Sequence, residues 1–304
     1  MANIISPHDK FFKESFSRLE VVQSLIEEVF PLELKERINL QKLQLSNASY
    51  VDEELAEHFA DLVYQTTFAD DDVLVTLLFE HKSFTDFPQW QLLRYMTNVE
   101  REEQKQDKKP SVVIPIIIYH GKTPWKKRSL KSYYGSPHKD LHKFIPEFDY
   151  LLFSLNSWED HQIANFKNVF LSTAAMLLKH SRDEKETFLR LETFWIEKLK
   201  ALDDAHEDDY IRTVFLYMEN SLNLTTKELI IIFTKVSKQV TNIAMTAAEH
   251  SRLEERQITM EYATFNYVKG LLRKGFQADF IADTFSLPIQ KVEEIIQKIK
   301  ASDN

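Results

Sequence analysis

Two residue types are almost missing from this chain. Cysteine is absent from all 304 residues, which excludes disulfides, thiol nucleophiles and cysteine-based zinc sites and is compatible with a reducing cytoplasm. Glycine occurs only four times, although it makes up about 7% of an average protein. Four scattered glycines cannot form a P-loop or a GxGxxG loop, so a nucleotide fold that cradles phosphates is excluded. Scarce glycine also favours a largely helical chain.

Long apolar runs and export signals are missing as well. The N-terminal residues lack the basic, then apolar, then small-residue pattern of a secretory signal. No segment has the uninterrupted apolar length that spans a bilayer. We therefore expect a cytoplasmic protein without a membrane partner. Its 43% hydrophobic and 28% charged residues are typical of a globular chain that is long enough for two domains.

The net charge of −9 argues against nucleic-acid binding over the whole surface, but the charge is unevenly distributed. Residues 122–143, which we call the basic segment, contain seven basic residues and one acidic residue. Aromatic residues lie among the basic ones, a composition that suits phosphate contact and base stacking. A solvated surface loop explains it equally well. The candidate DNA-binding residues are Lys122, Lys126, Lys127, Arg128 and Lys131.

Two apolar runs rich in β-branched residues, 59–67 and 73–82, flank the sequence Ala-Asp-Asp-Asp at 69–72. Aspartates between such runs predict a turn, and the two runs therefore predict a β-hairpin. A hairpin centred on this turn pairs residues whose numbers sum to about 141, so that Asp61 faces Glu80. Lys82 lies two residues further along and shares their face of the sheet.

These side chains match the needs of phosphodiester hydrolysis, in which a metal ion neutralises phosphate and activates water. Asp61, Glu80 and the backbone carbonyl of His81 offer the oxygen ligands that Mg²⁺ prefers, with Mn²⁺ or Ca²⁺ as alternatives. Lys82 could orient the nucleophile or stabilise developing charge. The alternative interpretation of the same residues is an exposed strand face with a cross-strand ion pair.

Two polar residues follow on the next predicted helix, 88–104. Gln91 and Tyr95 lie four residues apart and therefore share a face of this helix. They could position water or DNA at the predicted site, although a solvated helix face is nearly as good an explanation. We include Gln91 among the candidate catalytic residues.

The order of predicted elements indicates an α/β fold. A helical stripe at 8–29 precedes the hairpin, and the helix at 88–104 precedes apolar strands at 112–119 and 149–155. A helix between two strands supplies the crossover that parallel pairing requires. The sequence thus predicts a mixed sheet flanked by helices, followed by an all-α C-terminal region.

The remainder of the chain reads as helical almost throughout. Two short predicted helices, 277–285 and 289–300, surround the break Ser-Leu-Pro at 286–288 and match the helix-turn-helix plan. Because this tail carries little excess positive charge, a packing or dimerising hairpin is the better interpretation. We predict three segments: a nuclease-like domain at 1–158, a helical region at 159–260 and a C-terminal helical hairpin at 261–304.

The residues singled out above resemble a known superfamily. Asp61, the Glu80-x-Lys82 pair and Gln91-x-x-x-Tyr95, in the order α-β-β-α-β, resemble the PD-(D/E)XK nucleases. Over about residues 6–160 the chain looks like the Rpn group of recombination-promoting nucleases, also known as YhgA-like transposases. The blocks that carry this resemblance are HDKFFKESF, DLVYQ, LLFEHKS, QLLRYM and PIIIYHGKTPW.

The resemblance implies a restriction-endonuclease-like fold and a Mg²⁺-dependent endodeoxyribonuclease centred on Asp61, Glu80 and Lys82. Such an enzyme would act in recombination, mobile-element biology or phage defence, with DNA as its partner. The superfamily also has an acidic residue on its opening helix, for which Glu14 and Glu20 are both candidates. A homodimer through the C-terminal helices is expected, because two-fold pairing simplifies double-strand cutting.

Two alternatives to the endonuclease remain open at this point. One is a catalytically silent DNA-binding or regulatory protein that retains the nuclease shell. The other is a transposase that joins DNA ends, which strand-transfer products rather than nicking would identify.

Overall fold

The computed structural model describes residues 7–46, 62–69, 73–135 and 138–302. Contacts divide the chain into two compact units, residues 1–244 and residues 245–304. The segment boundaries predicted at residues 158 and 260 stay predictions. None of the helices in the described ranges combines the length and apolar character that crossing a membrane requires.

The first unit begins with an α/β part, and in the described residues its sheet has five strands in the order β1-β2-β3-β4-β5. Strands β1, β2 and β3 pair antiparallel, whereas β3, β4 and β5 pair parallel. The predicted mixed sheet flanked by helices is therefore confirmed. In chain order the elements are α1 (Pro7–Phe16), α2 (Leu19–Val29), α3 (Leu32–Lys35), β1 (Gln44–Leu45), β2 (Leu62–Phe68), β3 (Val73–Lys82), α4 (Gln89–Lys105), β4 (Val112–Tyr119) and β5 (Leu151–Ser154).

The β2–β3 hairpin has the predicted register. Leu62 pairs with Phe79 and Phe68 pairs with Val73, so that the numbers of each pair sum to 141. The three aspartates at the predicted turn, 70–72, lie outside the described residues, and so does Asp61. The predicted pairing of Asp61 with Glu80 therefore stays a prediction.

The two faces of the sheet are covered by different helices. Helix α4 packs on one face, and helix α1 packs on the other, where the ring of Phe12 lies 5.1 Å from that of His81. Because side chains alternate along a strand, Glu80 and Lys82 lie on the α4 side and His81 on the α1 side. The core on the α4 side consists of Leu78, Leu92, Tyr95, Val99, Ile117, Tyr119 and Tyr150.

Strand β4 has the predicted bounds and lies between β3 and β5. A glycine follows at the point where the chain leaves the sheet. A Cβ atom on Gly121 would lie 2.4 Å from the Tyr119 hydroxyl oxygen and 2.5 Å from the Ser83 carbonyl oxygen. Only a residue without a side chain lets the backbone after β4 pass this close to the backbone after β3. The basic segment therefore begins beside the end of β3.

Three histidines meet on the α1 side of the sheet. The ring of His120 lies 4.6 Å from that of His81 and 5.0 Å from that of His8. His120 is buried, and its Nδ1 atom donates to the carbonyl of Leu178, 3.1 Å away. Burial and the neighbouring imidazoles lower the pKa of His120 to about 2 and that of His8 to about 4.

The rest of the first unit is helical, as predicted. Helix α1 packs on two of these helices, and the Ser15 and Tyr210 hydroxyl oxygens lie 2.9 Å apart at that contact. Helix α1 therefore packs against both the sheet and the helical region. The helices are α5 (Asp160–Ala164), α6 (Val169–His180), α7 (Lys185–Arg190), α8 (Glu192–Asp204), α9 (Asp208–Ser221), α10 (Thr226–Thr234) and α11 (Lys238–Arg273), which continues into the second unit.

The second unit contains the end of α11 together with α12 (Ala278–Phe285) and α13 (Ile289–Ser302). The predicted helical hairpin is confirmed. Ser286 adopts the left-handed conformation, with φ of 50°, and ends α12 at the predicted break. Val268, Ile281 and Val292, one from each helix, form the core of this unit.

Candidate active site

The ammonium group of Lys82 lies among three side-chain oxygens at the end of β3. Its Nζ atom is 2.6 Å from Gln91 Oε1, 3.1 Å from Asp86 Oδ2 and 3.3 Å from Glu80 Oε1. An ammonium has three protons and no acceptor, so these oxygens match its capacity to donate. Strand β3, helix α4 and the loop between them each contribute at least one of these groups.

The side chain of Gln91 links the charged residues of the site. Its Nε2 atom donates to Glu80 Oε1 at 2.8 Å and to the Tyr95 hydroxyl oxygen at 2.6 Å. The amide orientation follows from its neighbours, because a flipped amide would point its NH₂ group at the Lys82 ammonium. The spacing of four residues that predicted a shared helix face for Gln91 and Tyr95 is thus realised on α4.

Burial strengthens the electrostatics of this site. The side chains of Glu80 and Lys82 are only 8% and 11% exposed. With Asp86 included, two carboxylates surround one ammonium, so these residues together carry a net negative charge. Interactions between charges grow in such a poorly solvated place, and a cation is the species that this field attracts.

Two tyrosines of the adjacent core remain protonated near neutral pH. Burial raises the pKa of Tyr150 to about 12, and the carboxylates of Asp149 and Asp86 add to this shift. Burial likewise raises the pKa of Tyr119, whose hydroxyl donates to the carbonyl of Thr123 at 2.6 Å. Neither phenol is therefore suited to act as a base.

The donor atoms fit a hard divalent cation only in part. Carboxylate oxygens are available, and the Oδ1 atom of Asp86 is buried without a hydrogen-bond partner among the described residues. Within those same residues, however, no group of three or more His, Asp or Glu side chains could hold a metal ion. The predicted ligand Asp61 lies outside the described residues.

The structure brings together Glu80, Lys82, Gln91 and Tyr95 as the sequence predicted. Sequence reasoning missed Asp86, although an acidic residue just after the Glu-x-Lys strand was a possible signal. The side chain of Asp86 reaches back to Lys82, which precedes it by four residues.

The two candidates for an acidic residue on the opening helix, Glu14 and Glu20, are both exposed. The α1 carboxylate that contacts β3 is Asp9, which lies 3.3 Å from His81 Nδ1. A hydrogen bond from His81 lowers the pKa of Asp9. This contact involves the α1 side of the sheet, whereas Glu80 and Lys82 lie on the α4 side.

Acidic partners offset much of the charge in the basic segment. Lys122 Nζ lies 3.2 Å from an Asp183 oxygen, and Lys127 also donates to the carbonyl of Tyr150. Sequence reasoning could not identify these partners, because they come from outside the segment. The ion pairs are Lys122–Asp183, Lys127–Asp149 and Lys131–Glu147.

Lys126 and Arg128 are exposed, and neither forms an ion pair within the part of the chain that the structure describes. The backbone carbonyl of Arg128 accepts a hydrogen bond from the Gln89 amide, which ties the basic segment to the start of α4. Trp125 is only partly exposed and packs edge-to-face on Tyr119, with ring centroids 4.9 Å apart. Trp125 therefore serves the core rather than a ligand.

A mixed sheet with an acid, a lysine and a glutamine gathered at the end of β3 beneath α4 is an α/β nuclease-like domain. The model of the family described as "Putative transposase, YhgA-like" matches residues 6–209, and the chain belongs to this family. No solved structure matches the chain.

Curated relatives include recombination-promoting nucleases and proteins named as inactive. The inactive recombination-promoting nuclease-like protein RpnE of Escherichia coli strain K12 is 23% identical over 93% of this chain and 95% of its own length. The recombination-promoting nuclease RpnD of Escherichia coli O157:H7 is 30% identical over 40% of this chain and 48% of its own length. The recombination-promoting nuclease RpnC of strain K12 is 28% identical over 40% of this chain and 41% of its own length.

Proposed function

We propose that this protein is a metal-dependent DNA endonuclease that hydrolyses phosphodiester bonds in recombination, mobile-element or phage-defence biology. Its family is described as transposase-like and its relatives RpnD and RpnC are named nucleases, which supports a nuclease or recombination role. The single observation that carries the finer proposal is the network of Glu80, Lys82 and Gln91. A buried lysine held against a carboxylate by a third side chain suits charge stabilisation better than it suits a simple core.

The metal ion, Lys82 and Gln91 would each have a separate role in the reaction. A bound Mg²⁺ ion would neutralise phosphate charge and lower the pKa of an attacking water, with Asp61, Glu80 and the His81 carbonyl as its ligands. The positive charge of Lys82 would stabilise the negative charge that develops on the phosphate oxygens. Gln91 would keep the Lys82 ammonium and the Glu80 carboxylate in fixed positions during the reaction.

Cleavage of supercoiled plasmid DNA tests this proposal. The parent protein is expected to nick and linearise the plasmid with Mg²⁺, and not with EDTA. Asp61→Ala and Lys82→Ala are expected to abolish cleavage, whereas Lys108→Ala, at an exposed position in the α4–β4 loop, is the matched control. If the two site variants cut as fast as the parent, the proposed catalytic centre is wrong.

A catalytically silent protein is the second candidate function. It is favoured by the relative RpnE, which is similar over 93% of the chain and is named inactive. A silent protein would bind DNA in a gel-shift assay but would leave the plasmid intact with Mg²⁺ or Mn²⁺. Strand-transfer products in place of nicks would instead identify a transposase.

We also propose DNA phosphates as partners of the basic segment and a homodimer through the C-terminal helices. Lys126 and Arg128 are the residues that best support the first proposal, because acidic residues do not neutralise them within the described ranges. Exposed Ile258 and Tyr262, which lie four residues apart and share a face of α11, support the second, since a partner helix would cover them. Sedimentation of the full chain and of residues 1–244 would show whether the second unit is required for dimerisation.

A further inference from the structure

Four aromatic rings form an exposed cluster at the start of α4. Phe87 lies two residues before this helix, Trp90 lies in its first turn, and Tyr133 and Tyr134 come from the basic segment. The ring of Tyr133 lies 5.2 Å from that of Phe87, 6.1 Å from that of Trp90 and 5.5 Å from that of Tyr134. Tyr133, Tyr134 and Trp90 are 57%, 48% and 37% exposed, and contiguous apolar surface of this kind marks an interaction site.

This aromatic cluster adjoins the candidate active site along the chain. Phe87 directly follows Asp86, and Trp90 directly precedes Gln91. Both of these polar neighbours contact the Lys82 ammonium, at 3.1 Å and 2.6 Å respectively. A nucleic-acid strand with a phosphate at Lys82 would therefore have its neighbouring nucleotides beside the aromatic cluster.

Charge and ring geometry indicate what would cover the cluster. The guanidinium of Arg128 lies 5.7 Å from the centre of the Phe87 ring. Tyr133 meets both Trp90 and Tyr134 at 82°, edge to face rather than stacked, so that each contact covers at most one face of one ring. Exposed ring faces beside uncompensated positive charge are the composition of sites that stack the bases of single strands.

We propose that Phe87, Trp90, Tyr133 and Tyr134 form a stacking platform for unpaired bases. The preferred substrate is then DNA that is single-stranded, or locally unpaired, beside the scissile phosphate. Bases inside a duplex are stacked on one another and cannot offer their faces to a protein. This inference rests on the proposed function, because it names the substrate class of the same site.

Binding measurements test the platform separately from cleavage. Fluorescence anisotropy of the full chain would compare a labelled oligothymidylate with a blunt duplex of equal length, in EDTA so that neither is cut. The parent is expected to bind the single strand more tightly. Tyr133→Ala is expected to weaken single-strand binding about tenfold and to leave duplex binding unchanged. Tyr133→Phe keeps the ring and is expected to bind like the parent.

A second readout uses the indole of Trp90. Stacking on a base is expected to quench part of the tryptophan emission when oligothymidylate is added, and Trp90→Phe is expected to remove this quenching. Because Tyr133 is largely exposed, its replacement is expected to leave the melting temperature unchanged, which separates lost binding from lost folding.

The outcomes separate the two proposals. If plasmid cleavage fails but Tyr133→Ala selectively weakens single-strand binding, the endonuclease proposal falls and the platform stands. If cleavage succeeds but Tyr133→Ala and the parent bind oligothymidylate equally, the platform is refuted alone. Equal loss of single-strand and duplex binding, or a change in self-association instead of DNA binding, would also refute it.

Discussion

Lys82 on β3 and Gln91 on α4 are joined by a hydrogen bond of 2.6 Å between the Nζ and Oε1 atoms. The same amide donates to Glu80, which shares its strand with Lys82. One uncharged side chain therefore sets the positions of an ammonium and a carboxylate together. We regard Gln91 as a positioning residue, because its contacts are with other side chains of the site.

Removing the Gln91 amide should impair cleavage more than binding. Gln91→Ala leaves Lys82 and Glu80 without their shared partner, and a displacement of about 1 Å can cost about 10²-fold in rate. We expect the maximal plasmid cleavage rate to fall by this order while the DNA concentration for half-maximal rate changes little. Gln104→Ala, at an exposed position on the same helix, is the control. An unchanged rate would contradict a positioning role.

Substitutions of Glu80 and Lys82 should have strongly non-additive effects on the free energy of unfolding. Lys82→Met leaves the buried Glu80 carboxylate with less compensation, which typically costs about 3–5 kcal/mol. The double variant Glu80→Gln with Lys82→Met removes both charges and should recover most of this loss in urea denaturation. It should remain unable to cleave DNA. Additive losses in the double variant would show that the pair contributes little.

Adding a methyl group at Gly121 should destabilise the protein. The new Cβ atom would lie 2.5 Å from the Ser83 carbonyl oxygen, which is backbone and cannot swing aside. We expect Gly121→Ala to lower the free energy of unfolding by about 1–3 kcal/mol. Gly270→Ala is the control, because open space surrounds that helical position and alanine should stabilise it by about 0.5–1 kcal/mol. Equal melting temperatures for the two variants would contradict the close approach.

Stability should fall in mild acid because of His120. Its pKa is lowered to about 2 by burial and by the neighbouring imidazoles, and its buried Nε2 atom has no hydrogen-bond partner among the described residues. The unfolded chain binds a proton near pH 6.5 that the folded chain does not bind. The free energy of unfolding therefore decreases as pH drops below about 6.5, by up to about 1.4 kcal/mol per pH unit for this residue.

Denaturation of His120→Gln at several pH values checks this contribution. The variant is expected to show a shallower loss of stability between about pH 6.5 and pH 4 than the parent. His138→Gln, which removes an exposed imidazole, is the control. A parent whose stability is constant across this range would refute a neutral, buried His120.

Local patterns were sufficient for much of the fold and of the site. Two apolar runs separated by aspartates predicted the hairpin register, which the structure shows between the pairs Leu62–Phe79 and Phe68–Val73. This register also places Glu80 and Lys82 on one face of the sheet. Helical spacing likewise predicted the shared face of Gln91 and Tyr95. These features depend on neighbours within a few residues, which is why the sequence revealed them.

Contacts that depend on the path of a loop could not be predicted in this way. Asp86 turns back to Lys82 only because of the path of the loop between β3 and α4. The ion pairs of the basic segment were not predicted, since Asp183 and Glu147, which pair with two of its lysines, lie outside the segment. The aromatic residues of the basic segment also differ in exposure, which the sequence did not predict. Trp125 packs into the core, whereas Tyr133 is exposed.

The amino-acid sequence alone determined the order of the elements, the face on which the charged strand residues lie and the family to which the chain belongs. Periodicity and turn chemistry are short-range properties, so they are written directly into the chain. Only the tertiary structure decided which oxygens contact the Lys82 ammonium, which lysines of the basic segment pair with acidic residues and which aromatic rings are exposed to solvent. Those outcomes depend on how loops and helices pack around the sheet, which the periodicity of a single element does not encode.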